Sequence, residues 1–454
     1  MRFSSTRLVR FLFPLTLVCL LSASAGERIV LGYYPSWIRG SYPHSAVQYQ
    51  YLTHIAHAFI FPFADGSLDV SGFSHYPELI QTAHQHGVKV VISVGGWDEV
   101  RTPRFALLAA DPAARTWFVT NVKNFCQTYG YDGADIDWEY PAPADRVNAT
   151  LLFQEFRAAF NDAVPRLSLS IAAPSGDWSG RYDWNIMKEV LDWIGIMTYD
   201  FYGSWTTKAG PNAALYGTVS TTDQGWIDNS MVHYKAKGIP AEKLLFGVPF
   251  YGWQFNASTL FGPSTGATQL TYLNIAPLLQ QGWVRHWDAP TRTPFLVNPQ
   301  GTRVISYDDS ASIAEKAAYL INQSLGGVII WAIGQDYMNG QQPLLKSLGT
   351  ALTPATSLPL MVAESVPQSF ELAQNYPNPF NAQTRIRYHI TRAGVYTLRL
   401  YDTLGREIDT LADFLHLAGI YELTVSSAAL PSGVYLYRLN GEGFSSTRTM
   451  TVLR

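Results

Sequence analysis

The sequence predicts an α/β protein: a (β/α)8 TIM barrel with a small α+β insertion, followed by a separate all-β sandwich. Three observations carry this. Eight short apolar runs alternate with helix-length amphipathic stretches over about 320 residues, the count of a closed parallel barrel. The stretch between the seventh and eighth runs exceeds an ordinary connection and has strand and turn signals of its own. After Gly349 the composition changes, first to a Thr/Ser/Ala/Pro-rich segment and then to alternating polar and apolar residues punctuated by glycine.

In chain order, Arg2, Arg7 and Arg10 precede an apolar run at 11–21, and Ala23-Ser24-Ala25 follows as a small-residue cleavage site. This is an export signal peptide at 1–25, too short to span a membrane. Its removal takes Cys19 and leaves Cys126 alone, which excludes an intramolecular disulfide. Cys126 shares a helical pattern with Trp117, Val122 and Phe125 and reads as a core thiol. The barrel occupies 26–349, with strands at 29–34, 54–59, 89–94, 133–139, 168–173, 193–199, 243–249 and 327–333. Between them, Asp111-Pro112 opens a helix that Gly130 closes, and a helix at 310–324 ends before Gly326-Gly327. No G-x-G-x-x-G turn supports a doubly wound sheet instead. The insertion, 253–309, contains a strand pattern at 304–307, turns at Asn298-Pro299 and Gly301, and Trp283, Trp287 and Phe295. A linker is expected at 350–368 and a β-sandwich at 369–454, with no paired carboxylates or metal-ligand spacing in the sandwich.

Composition narrows the function. Charged residues make up 15% and the net charge is −3, which offers no field for a polyanion and excludes nucleic acid as a partner. Aromatic residues reach 14%, with 13 Trp and 26 Tyr, and flat apolar rings suit the faces of sugars. No metal or other cofactor is expected, and the chain is expected to act as a monomer.

The chemistry concentrates in Tyr131-Asp132-Gly133-Ala134-Asp135-Ile136-Asp137-Trp138-Glu139-Tyr140. With period 2, Asp135, Asp137 and Glu139 share one face and Ala134, Ile136 and Trp138 the other. Carboxylates about 7 Å apart on one strand face cannot all ionise cheaply, so one of them keeps a proton, as an acid catalyst must. On the fourth strand of a barrel that face points into the mouth, where such sites lie. Asp132 has the wrong parity for the mouth and reads as local structure.

This stretch matches the D-x-x-D-x-D-x-E signature of family 18 glycoside hydrolases, the chitinase family. The resemblance extends in order through Gly32-Tyr33-Tyr34, Leu52-Thr53-His54-Ile55, Ser93-Val94-Gly95-Gly96-Trp97, Met197-Thr198-Tyr199-Asp200, Gly247-Val248-Pro249-Phe250-Tyr251-Gly252 and Gly326-Gly327-Val328 with Trp331 and Asp336. The insertion, with Ile305-Ser306-Tyr307-Asp308-Asp309, looks like the one that deepens the cleft in many such chitinases. The resemblance implies a retaining hydrolase of β-1,4-linked N-acetylglucosamine polymers in which the substrate supplies the nucleophile, an exception to the two-carboxylate scheme. Glu139 would be the general acid/base, Asp137 the group that orients the 2-acetamido N–H, Asp135 its proton-sharing partner, and Tyr199 a hydroxyl on the acetamido oxygen. Asp200, Met197, Trp331, Tyr33, Ser93, Gly96, Trp97 and Trp253 would bind substrate, with Tyr33 and Ser93 beside the inner aspartates. Trp178, Trp205 and Trp287 are further stacking candidates. Two departures stand out: Trp253 follows Tyr251-Gly252 where arginine is common, and His57 occupies a position where an aromatic is common. An endo-β-N-acetylglucosaminidase or a peptidoglycan-type hydrolase would use the same chemistry. A chitin-binding lectin on this barrel would usually lack the glutamate.

The tail carries its own resemblance. Asn375-Tyr376-Pro377-Asn378-Pro379-Phe380-Asn381, Tyr401-Asp402-Thr403-Leu404-Gly405-Arg406, Ser432-Gly433-Val434-Tyr435 and the ending Arg448-Thr449-Met450-Thr451-Val452-Leu453 are similar to C-terminal type IX secretion sorting domains. That implies outer-membrane secretion machinery as a partner and a secreted or cell-surface protein, with the signal peptide cleaved near Ala25. A generic sandwich that binds chitin or spaces the enzyme is the alternative.

Overall fold

The computed structural model describes residues 28–220, 225–352, 360–363, 369–381, 383–392, 394–416, 419–427, 430–441 and 443–453. The expected signal peptide lies outside them. The barrel strands are β1 Ile29–Pro35, β2 His54–Pro62, β3 Lys89–Gly95, β4 Gly133–Asp137, β5 Ser168–Ala173, β6 Trp193–Ile196, β7 Leu244–Pro249 and β8 Gly327–Trp331. All pair in parallel with their sequence neighbours, and β1 closes the cycle by pairing with both β8 and β2.

The alternation expected for β4 is present. Ala134, Ile136 and Trp138 join the core beneath the helices, and Trp138 stacks on Phe105 at 5.4 Å. The inward set of the barrel includes Leu31, Tyr33, Ala56, Ala58, Val91, Trp193, Leu245 and Ile329, with Asp135 and Asp137 buried among the inward residues of β4. The helix Pro112–Tyr129 starts where Asp111 accepts hydrogen bonds from the N–H groups of Ala113 (2.8 Å) and Ala114 (3.3 Å). It ends at Gly130 in the left-handed region, φ 75°. Cys126 on this helix is a buried free thiol, and burial pushes its pKa up.

Several strands stop earlier than the sequence suggests. Pairing ends at Asp137 rather than 139, at Ile196 rather than 199, and at Trp331 rather than 333. At this rim the backbone leaves the ladder so that its side chains can face the cleft. Non-proline cis peptide bonds follow Ala58, Glu139 and Trp331 there.

The insertion begins at Tyr251, two residues before the expected 253, because strand Tyr251–Phe255 follows directly on β7. It forms an antiparallel sheet with Ala267–Thr271, Val304–Ser306, Thr293–Val297 and Val284–Asp288. Ile275, Leu296, Ile305 and Tyr307 form its core. Helix Pro343–Leu352 runs into the stretch expected as a linker, and Leu360–Ala363 within it pairs with the tail strand Gly419–Ser426. The tail comprises two antiparallel sheets around Leu372, Ile386, Tyr388, Leu398, Tyr437 and Val452. Its strand Glu407–His416 was not legible, since Glu407, Asp409 and Asp413 mask the alternation on what is a sheet edge.

Candidate active site

A cleft of about 930 Å³ opens at the C-terminal ends of the barrel strands, lined among others by Asp137, Glu139, Met197, Tyr199, Asp200 and Trp331. That is near the upper end of the roughly 300–1,000 Å³ common for ligand pockets. The carboxylates stand in sequence from the barrel interior to the mouth.

Asp135 is deepest and accepts three side-chain hydrogen bonds. Tyr33 Oη (2.7 Å) and Ser93 Oγ (3.1 Å) reach one oxygen, and Ser170 Oγ (2.7 Å) the other. Burial raises its pKa and the three hydroxyls oppose that rise. Asp137 comes next. Burial first, then the charges of Glu139 and Asp135, hold its pKa well above the usual carboxylate range, and its Oδ1 is buried without a protein partner. A proton held by this pair therefore resides on Asp137, because Asp135 has the hydroxyls that favour an anion.

Glu139 faces the cleft. Its pKa is raised to about 7, chiefly by burial and further by the charge of Asp200, while hydrogen bonds from Tyr140 and the Trp97 backbone oppose the rise. A carboxyl in the cleft thus keeps its proton over the acidic range up to neutral pH, where it titrates, as a general acid requires.

The remaining expected residues divide. Tyr199 is held neutral by burial and by Asp137 and Glu139 and packs edge-on to Tyr251 at 6.1 Å. Its position requires Gly247, since a Cβ there would lie 2.5 Å from the Tyr199 ring. Met197 and Trp331 line the floor, with Trp331 stacked on Phe59 at 5.6 Å and edge-on to Tyr33 at 5.6 Å. Trp97 and Trp205 line the cleft with rings largely exposed. Trp178 and Trp287 do not line it.

Three expected substrate contacts sit elsewhere. Ser93 is fully buried behind Asp135. Gly96 shapes the backbone: its φ is 94°, its N–H donates to the Asp137 carbonyl at 2.8 Å, and a Cβ would meet the Phe59 ring at 2.8 Å. Trp253, only 8% exposed, lies behind Asp200, to whose Oδ1 its indole N–H donates at 2.9 Å. His57 is also structural: it is buried, with Nδ1 2.9 Å from Tyr131 Oη. Asp132 accepts from Val90 N (2.7 Å) and contacts His84 Nε2 (2.8 Å), a local role as its parity implies.

Sequence reasoning missed Ser170, Trp37, Arg101, Tyr140, Tyr251 and Gln269. Ser170 was findable, since it stands on the inward parity of β5 at the level of Asp135, with which it pairs across strands. Gln269 comes from the insertion, whose fold had no readable register. Among the described residues, no group of three or more His, Cys, Asp or Glu side chains is arranged to hold a metal ion.

Comparison with known proteins follows this geometry. A model of glycosyl hydrolases family 18 matches residues 29–336, and one of a secretion system C-terminal sorting domain matches 374–453. A probable endochitinase of Caenorhabditis elegans is 33% identical over 277 residues, covering 56% of this chain and 44% of that protein. Probable chitinase 2 of Drosophila melanogaster is 30% identical over 385 residues, covering 75% of this chain and 79% of the relative. Among solved structures, the Ostrinia furnacalis Group IV chitinase in complex with allosamidin superposes with a TM-score of 0.67 at 26% identity, covering 72% of this chain and 99% of that one.

Proposed function

The chain belongs to family 18 of the glycosyl hydrolases and ends in a secretion sorting domain; from that premise we propose that it is a secreted chitinase acting by a retaining, substrate-assisted mechanism. The observation that carries the reading is the ladder of carboxyl groups: a triply held Asp135, an Asp137 with a free buried oxygen, and a Glu139 that stays protonated to about pH 7.

Glu139 protonates the glycosidic oxygen. The carbonyl oxygen of the 2-acetamido group attacks the anomeric carbon, the C–O bond to the leaving sugar breaks, and an oxazolinium ion forms. Water activated by Glu139 then opens it with retention. Asp137, keeping the shared proton, turns from Asp135 and accepts the acetamido N–H on its unprotonated oxygen, which orients the internal nucleophile. Tyr199 donates to the acetamido oxygen. Trp331 supports the reacting sugar and Met197 the acetamido methyl, while Tyr33, Ser93 and Ser170 act through Asp135. The presence of Glu139 with both aspartates favours catalysis over a lectin role. The protein acts as a monomer that is exported by its N-terminal signal peptide and then engages outer-membrane machinery through the tail.

The test compares acetylated chitin hexamer with its fully deacetylated counterpart, an N-glycoprotein and peptidoglycan. Cleavage of the acetylated hexamer with retention, and none of the deacetylated one, is expected; rapid hydrolysis of the deacetylated polymer would exclude the internal nucleophile. Product release only from the N-glycoprotein or peptidoglycan would reassign the substrate within the same chemistry.

A further inference from the structure

Asp200 follows β6 with φ 56°, and its backbone N–H donates to Asn212 Oδ1 at 3.0 Å. Its Oδ1 accepts two neutral donors, Tyr251 Oη at 2.8 Å and Trp253 Nε1 at 2.9 Å. Among the described residues it forms no ion pair. The Trp253 indole is fixed from the other side, edge-on to Trp205 at 5.3 Å and an interplanar angle of 84°. Two fixed donors on one oxygen leave the carboxylate little freedom to rotate, and neither cancels its charge.

We propose that Trp253 is a positioning residue whose indole N–H holds the Asp200 carboxylate beside Glu139 without neutralising it. The inference rests on Glu139 being the acid of the reaction above. An anion next to a carboxylic acid opposes its ionisation, so an uncancelled Asp200 keeps Glu139 a donor up to higher pH. An arginine at position 253 would seat Asp200 equally well while cancelling its charge. The other groups around Glu139 are Asp137 and Tyr140 on its own segment, Tyr182 beyond β5, Tyr199 beside Asp200, and Tyr251 beyond β7. Burial and neighbouring anions keep these tyrosines neutral, and Asp137 holds the proton of its pair, so Asp200 is the charge that sets the field at Glu139.

The experiment is the pH profile of kcat/KM on a soluble acetylated chitin oligomer for the full chain, Trp253→Arg and Trp253→Phe, each checked for folding by its unfolding transition. Trp253→Arg is expected to move the basic limb to lower pH by roughly half a unit or more. Trp253→Phe keeps a buried ring but removes one of the two donors, so Asp200, held by Tyr251 alone, can turn from Glu139. It is expected to lower kcat about tenfold with little change in KM, and to move the limb the same way by less. Should the arginine variant not fold, the phenylalanine variant decides alone. A purely packing role would lower activity or stability and leave the limb in place, and that result in a folded variant overturns the proposal. Failure of the wild-type chain to cleave any acetylated oligomer would instead overturn the functional reading beneath it.

Discussion

Tyr33 donates its phenolic hydrogen to Asp135 at 2.7 Å, joining the first strand of the barrel to the fourth across 102 residues. The same carboxylate takes Ser93 and Ser170 hydroxyls from the strands on either side. The bond therefore does more than fasten strands: it decides which of two neighbouring aspartates carries the negative charge.

Removing that donor gives the first prediction. A hydrogen bond to a carboxylate lowers its pKa, so Tyr33→Phe raises that of Asp135 and lets it compete with Asp137 for the shared proton. Hydrogen bonds to charged groups contribute about 1.5–3 kcal/mol, so kcat/KM should fall at least tenfold. The acidic limb of the pH profile should move to higher pH. Steady-state kinetics between pH 4 and 8 would check this, and an unmoved acidic limb would refute the assignment.

Glu139 gives the second. A general acid works while protonated, so activity should hold below and be lost as pH rises through about 7, the value to which burial and Asp200 raise its pKa. Glu139→Gln removes the proton donor while keeping its shape, and should reduce hydrolysis by roughly 10²–10⁴-fold. Oligosaccharide binding should survive in the variant. Because Trp97, Trp205 and Trp331 line the cleft, tryptophan fluorescence during titration with oligomer provides the readout.

The barrel and its acid ladder were legible because both are local and periodic. Apolar runs of period 2 set the strands, and i, i+2, i+4 spacing put Asp135, Asp137 and Glu139 on one face. What failed needed distances between strands. Trp253 has the parity and composition of a sugar platform, yet the antiparallel strand that carries it turns it onto Asp200. Ser93 and Gly96 have strand-end positions that suit substrate contact, but one lies a layer too deep and the other contributes only backbone. Gln269 reaches the cleft through a sheet whose register, pairing it with Trp253, follows from insertion packing that no local pattern reveals.

The junction between insertion and barrel gives the third. Asp308 and Lys316 are both buried, with Nζ to carboxylate distances of 2.6 and 2.7 Å, and Ser312 Oγ adds a donor at 2.6 Å. Lys316→Ala leaves a buried carboxylate without its cation, which typically costs about 3–5 kcal/mol. Lys316→Met together with Asp308→Leu should lose much less, because no charge is stranded. Denaturant unfolding of the barrel transition compares the two, and equal losses would show that the pair's charge is immaterial.

The fourth concerns acid. On β2, His57 is buried and His54 half-buried, and desolvation lowers their pKa values to about 3 and about 4. In an unfolded chain both titrate near 6.5. Between these values the unfolded state binds more protons than the folded one, so stability rises with pH and falls as pH drops below 6.5. Each histidine contributes a slope of up to about 1.4 kcal/mol per pH unit. His54 stops adding loss below about 4 and His57 below about 3. Between pH 7 and pH 5 the two histidines should therefore lower the unfolding free energy by several kcal/mol, against an opposite contribution from the raised carboxyls of the cleft, Glu139 among them. Replacing His57 by the non-titrating Gln should flatten that difference by about 2 kcal/mol, whatever the substitution does to stability at pH 7. An unchanged difference in His57→Gln would mean that His57 is not held neutral in the folded chain, and would overturn the prediction.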